Sequence, residues 1–205
     1  MTESKKGLRI TAGILLLVLA VLSLAMSAYS LWLVYSASGY MSQYLRQSCL
    51  SVASGALSIV VAILILSRKF TAAGIVKCFV LGLAILVNLL NLLSLITNAT
   101  AAIGPLLSGF TEFAGWAAAI FMIIGLFMHS RKSKPLCIVG AILALAASLG
   151  QQTFSIIRYV TRADFSKLIS GLSFSAAISL TTACVAAAAW ILLGVYFGAQ
   201  NTEQE

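Results

Sequence analysis

Apolar residues come along this chain in long runs separated by short polar steps. The runs cover 10–35, 49–67, 72–97 and 112–128, a fifth that starts at Pro135 and grows polar after Ser148, and a sixth over 168–199. A helix crosses the hydrocarbon core of a bilayer in about 20 residues, so each run predicts one crossing. The breaks fall at 36–48, at 98–111 with the turn pair Gly104-Pro105, at the compact basic loop 129–134, and at the charged stretch 161–167. Proline at the first turn of a helix has no N–H that needs a partner, which suits Pro135 as the start of the fifth span. The first run resembles a secretory signal in its basic preface, Lys5, Lys6 and Arg9. It outlasts the roughly 7–15 apolar residues of such a signal, however, and is read as a retained helix.

A basic step recurs ahead of every second run. Lys5-Lys6, Arg68-Lys69 and Arg131-Lys132 follow one another at intervals of 63 residues. The expected fold class is therefore all-α: a polytopic membrane protein whose six transmembrane helices form three consecutive hairpins. The hairpins cover 5–67, 68–130 and 131–199 of a single membrane domain, 1–205, with a short polar tail at 200–205. Six crossings put both termini on one side. That side collects Lys5, Lys6, Arg9, Arg68, Lys69, Arg131, Lys132 and Lys134, eight basic residues. The other side has four: Arg46, Arg158, Arg162 and Lys167. Basic residues in short loops stay in the cytoplasm, so these eight are expected to act as topology anchors. Both termini are then cytoplasmic, in the plasma or cytoplasmic membrane. Tyr29, Trp32, Tyr35, Tyr40 and Tyr44 gather at the opposite interface, where an aromatic belt is expected.

Composition agrees with this picture and narrows the chemistry. Sixty-one per cent of the 205 residues are hydrophobic and 9% are charged, with a mean hydropathy of +1.06. A chain of this size cannot hide so much apolar surface from water, so the expected solvent is the lipid bilayer. The net charge of +8 is spent on loop anchors; no basic run with interleaved aromatics points to nucleic acid. Cys49, Cys78, Cys137 and Cys184 lie far apart and lack the spacing of a zinc site, so no metal or cofactor is expected. Phosphate-binding loops, nucleophile elbows and paired intramembrane carboxylates are missing too, and an enzyme is not expected.

Polar residues inside a membrane are the default functional candidates. In the third run Lys77, Asn88 and Asn91 interrupt an apolar sequence. At 100° per residue Asn88 falls about 20° from Lys77 and Asn91 about 40° to the other side. One reading lets Lys77 snorkel to the nearby interface while the asparagines bond a neighbouring helix. The other makes all three line a cavity. In the fifth run Ser148, Gln151, Ser155, Arg158 and Arg162 recur at helical spacing, and Gln152 widens the stripe. Glu112 is expected to cap the start of the fourth helix, where the helix dipole favours a carboxylate. Small residues four apart, such as Gly74-Cys78-Gly82 and Gly115-Ala119, permit close helix crossings.

Two functions are carried forward. In one, Asn88, Asn91, Gln151, Gln152, Ser155 and Arg158 line an outward-facing polar vestibule that binds or transports a small solute. In the other, the protein is a non-catalytic structural or accessory component, and its partner is another membrane protein or a second copy of the chain.

Overall fold

The computed structural model describes residues 3–38, 43–96, 103–161 and 173–200, and among these everything except two short turns is α-helical. Six helices follow one another: α1 (Glu3–Ser38), α2 (Gln43–Leu66), α3 (Phe70–Ile96), α4 (Ile103–Met128), α5 (Ser133–Thr161) and α6 (Ser173–Gln200). Five contain stretches long and apolar enough to cross a membrane: Lys6–Ser36, Ser48–Leu66, Thr111–Met128, Ser133–Thr153 and Ala177–Ala199. In α3 the corresponding apolar stretch is Phe70–Leu86. Large apolar side chains face outward along these helices, Phe79 (65% exposed) and Phe113 (63%) among them. Apolar surface on this scale needs an apolar solvent, and the chain is a multi-pass membrane protein.

Helix boundaries differ from expectation on the side away from the basic steps. α2 begins at Gln43 and α4 at Ile103, six and nine residues before the apolar runs at 49 and 112. The Gly104-Pro105 pair is no turn; Pro105 is the third residue of α4. A proline in the first helical turn removes only an N–H that has no intrahelical acceptor, so the helix runs through it. Glu112 is consequently the tenth residue of α4 and does not cap its start.

Each helix packs chiefly against two others, in the cyclic order α1, α2, α3, α4, α5, α6 and back to α1, and α3 also meets α6 across the ring. The most extensive pairing joins α4 to α5, across the boundary between two expected hairpins, and the least extensive joins α3 to α4. Tight crossings explain the difference. A Cβ placed on Gly140 of α5 would lie 3.0 Å from both the carbonyl oxygen of Ala118 and Cγ of Met122 on α4. Gly55 of α2 similarly brings its backbone within 3.1 Å, measured from such a Cβ, of Leu24 Cα on α1. Gly82 and Gly115, from the small-residue stripes of α3 and α4, meet nothing within 4 Å.

The packed core lies at the end of the bundle that carries the basic loops. Ala12, Ile65, Phe70, Leu126, Cys137 and Phe197, one from each helix, are all buried there. The Phe70 ring meets Phe197 edge-on at 4.9 Å and Tyr196 at 6.0 Å between centroids, an aromatic arrangement worth about 0.5–1.5 kcal/mol per pair beyond area burial. Both basic turns are hydrogen-bonded. After α2, Lys69 N–H donates to Leu64 O (2.9 Å) and Arg68 N–H to Ile65 O (3.1 Å), with Arg68 in the left-handed region at φ 61°. These are the two bonds of a Schellman cap, which usually has glycine where Arg68 stands. After α4, His129 has φ 29°. Beyond it, the buried Ser133 hydroxyl accepts the Ser130 N–H at 3.0 Å.

Candidate functional site

Among the described residues, polar side chains line three pockets of this bundle. The first lies inside the ring, between α1, α2, α3 and α6. Here Lys77 extends from α3 toward α6, and its Nζ stands 4.9 Å from the centroid of the Trp190 ring. A pocket of about 200 Å³ opens beside them, with the hydroxyl-bearing Ser23 of α1 and Ser58 of α2 on its wall. The remaining lining is apolar, including Leu16, Val61 and Val80, and Lys77 is its only charged residue. Lys77 stands seven positions after Phe70, the first residue of α3, a depth of about 10 Å at 1.5 Å per residue. The lysine turns inward across the ring toward an indole, the best of the aromatic faces for a cation.

The second place is a cleft of about 370 Å³ between α4 and α5. Thr111, Glu112 and Trp116 line it from α4, Ser148 and Gln151 from α5. Gln151 of the expected vestibule is thus beside a carboxylate on α4, and α4 lies between α5 and α3 in the ring. Gln152, its neighbour, is partly buried. The third place is a cleft of about 420 Å³ between α1 and α2, lined by Ser23, Ser27, Ser30, Ser48 and Ser51 among others. Ser23 belongs to this cleft and to the Lys77 pocket alike, which makes the two neighbours along α1.

The other expected site residues stand on the far halves of their helices. Asn88 and Asn91 are on α3, and Ser155 and Arg158 on α5; their side chains lie outside the described residues. Among the basic anchors, Lys6, Arg68, Lys69, Arg131, Lys132 and Lys134 are exposed. The side chain of Lys5 lies outside the description. Arg9 differs from the rest, being 5% exposed. Its guanidinium donates to the carbonyl oxygens of Leu66 and Ile65 at the C-terminal end of α2, where a positive charge complements the helix dipole. Its Nε is buried without a partner.

Chemically, the Lys77 pocket offers one cation, two hydroxyls, one aromatic face and apolar walls. Its lining has no carboxylate and no nucleophile–base pair. Among the described residues, no group of three or more His, Cys, Asp or Glu could hold a metal ion. The cysteines are free thiols, Cys137 buried and Cys49, Cys78 and Cys184 exposed. Sequence reasoning saw Lys77 as an exception in an apolar run. It lacked the partner, because Trp190 reads as one more interfacial or core aromatic until α6 is placed against α3. No protein-family model, curated protein or solved structure matches this chain.

Proposed function

We propose that this protein binds a small solute within its helix bundle, as a transporter or as the solute-binding component of one. In this reading all six helices cross the membrane as three antiparallel hairpins, the exposed basic loops face the cytoplasm with both termini, and no bond is made or broken. The observation that carries it is the inward-facing Lys77 beside an open pocket. A lysine that only anchors a helix reaches the headgroups along its flexible stem. This one is aimed at Trp190 across the ring, and ionisable groups placed so within a membrane mark solute or ion pathways. Ser23 links the pocket to the serine-lined cleft on the far half of α1 and α2, and that cleft supports an outward opening.

Ligand-dependent stabilisation of the purified protein in nanodiscs, screened against small anions, cations and neutral polar solutes, tests this. Ala20→Phe fills the pocket from α1 and leaves Lys77 unsubstituted. A solute that raises the unfolding temperature of the unsubstituted protein and not of the variant supports the reading. Equal effects in both, or no effect from any class, contradict it.

A second reading, an accessory subunit, draws on a separate observation. Gly82 meets nothing within 4 Å and opens on an apolar groove of about 420 Å³ lined by Cys78, Phe79 and Phe127. Close helix crossings in lipid use such glycines, and another transmembrane helix fits there. Gly82→Leu then abolishes co-purification of a membrane partner in mild detergent; retention of the partner by that variant contradicts the reading.

A further inference from the structure

We infer that the Lys77 pocket selects a small organic anion: a monocarboxylate whose short apolar tail lies against the walls contributed by α1, α2 and α3. This rests on the pocket being the solute site and adds the chemistry of the solute.

Charge is the first argument. Lys77 is the only ionisable residue lining the pocket. Moving an ammonium group from water to such surroundings is strongly unfavourable even after relaxation. A cation over an aromatic face recovers part of that penalty, and the Trp190 ring offsets no more than that part. The Ser23 and Ser58 hydroxyls are neutral. A carboxylate supplies the missing charge, and the Ser23 hydroxyl can donate to its second oxygen, whereas the Ser58 hydroxyl donates to the Ser54 carbonyl at 2.9 Å. One cation matches one negative charge; a dicarboxylate would leave its second charge among apolar walls.

Size and polarity give the second argument. A water molecule occupies about 30 Å³ of liquid, so the pocket, about 200 Å³, has room for six or seven such volumes. A carboxylate with a three- or four-carbon tail is of that scale. Leu16, Val61 and Val80 present apolar surface, and burying methylenes against it is favourable. A hydrated inorganic anion gains nothing from those walls. The lining also lacks arginine, the usual partner for bidentate recognition of phosphate.

The test uses the full chain in nanodiscs with Trp32→Phe and Trp116→Phe, so that Trp190 is the sole remaining tryptophan of three. Its emission is titrated with sodium butyrate, with butyramide as the neutral isostere, and with sodium chloride as a simple anion. Butyrate is expected to give a saturable change, with butyramide weaker by roughly tenfold or more and chloride without effect, a difference of about 1.4 kcal/mol or above. Lys77→Gln is expected to lose the preference for butyrate over butyramide, and Lys77→Arg to keep it. Val80→Phe, which fills the tail space from α3 and leaves Lys77 unsubstituted, is expected to weaken butyrate while keeping its preference over butyramide. Saturable binding of butyramide as tight as butyrate overturns the anion inference and leaves the solute pocket standing. Chloride matching butyrate overturns the apolar tail. No response to any of the three, with Trp190 still emitting from a folded protein, overturns both the inference and the solute reading beneath it.

Discussion

Arg9, in the second turn of α1, donates from its guanidinium to the carbonyl oxygen of Leu66, the last residue of α2. The contact ties the start of the chain to the first basic turn, and it does so from a buried position. A hydrogen bond from a charged group contributes about 1.5–3 kcal/mol, reduced here because Nε is desolvated without a partner. Arg9→Met is expected to lower stability by roughly 1–2 kcal/mol, read as a lower unfolding midpoint in detergent. Lys6→Met, an exposed neighbour on the same helix, is expected to change it by less than about 0.5 kcal/mol. Equal effects would show that Arg9 acts only as a surface charge.

The glycines make a paired prediction. Gly140→Val puts branched carbon where a Cβ already comes within 3.0 Å of α4 backbone. Overpacking of this kind destabilises by about 1–3 kcal/mol, and the α4–α5 crossing has to widen. Gly82→Ala meets nothing within 4 Å and removes the helix penalty of glycine, about 1 kcal/mol; its midpoint is expected to hold or rise. Thermal unfolding of both variants under one detergent checks this. Loss of stability in Gly82→Ala would mean that its groove is filled by a second chain.

Topology can be read by thiol labelling. In a background with the four cysteines replaced by alanine or serine, single cysteines at Tyr35 and Lys132, both exposed, report on opposite ends of the bundle. A membrane-impermeant maleimide is expected to label Tyr35→Cys in intact cells, and Lys132→Cys only after permeabilisation. The reverse pattern would contradict the cytoplasmic assignment of the basic loops.

Lys77 and Trp190 should be energetically coupled. A double-mutant cycle with Lys77→Met and Trp190→Leu isolates their pairwise term, expected at about 0.5–2 kcal/mol for a cation on an indole face. Additive effects would mean that the ammonium and the ring ignore each other in the membrane-embedded protein.

Much of this fold was legible in the sequence, for a physical reason. A lipid-facing helix must be apolar over its whole crossing, so run length reveals number and place without reference to any partner. The basic steps marked the turns well: α3 and α5 begin at Phe70 and Ser133, 63 residues apart like the steps themselves. The opposite ends were harder to read. Polar side chains tolerate the interfacial zone without ending a helix, and α2 and α4 continue through residues that look like loop. The neighbours of each polar residue were not legible at all. Gln151 lines one cleft with Thr111 and Glu112 of α4, and Lys77 meets a residue 113 positions later in the chain. Both depend on the cyclic order of the helices. Apolar runs do not encode that order, because every lipid-facing side looks alike.

The most direct test of the Lys77 pocket is a cryo-electron microscopy map of the protein taken from its native membrane into nanodiscs, without added solute. The account predicts compact non-protein density between Lys77 Nζ, the Ser58 hydroxyl and the Trp190 ring, absent from a matching map of Lys77→Met. A map in which Lys77 reaches the headgroups, with the space beside Trp190 closed by protein side chains, would contradict it.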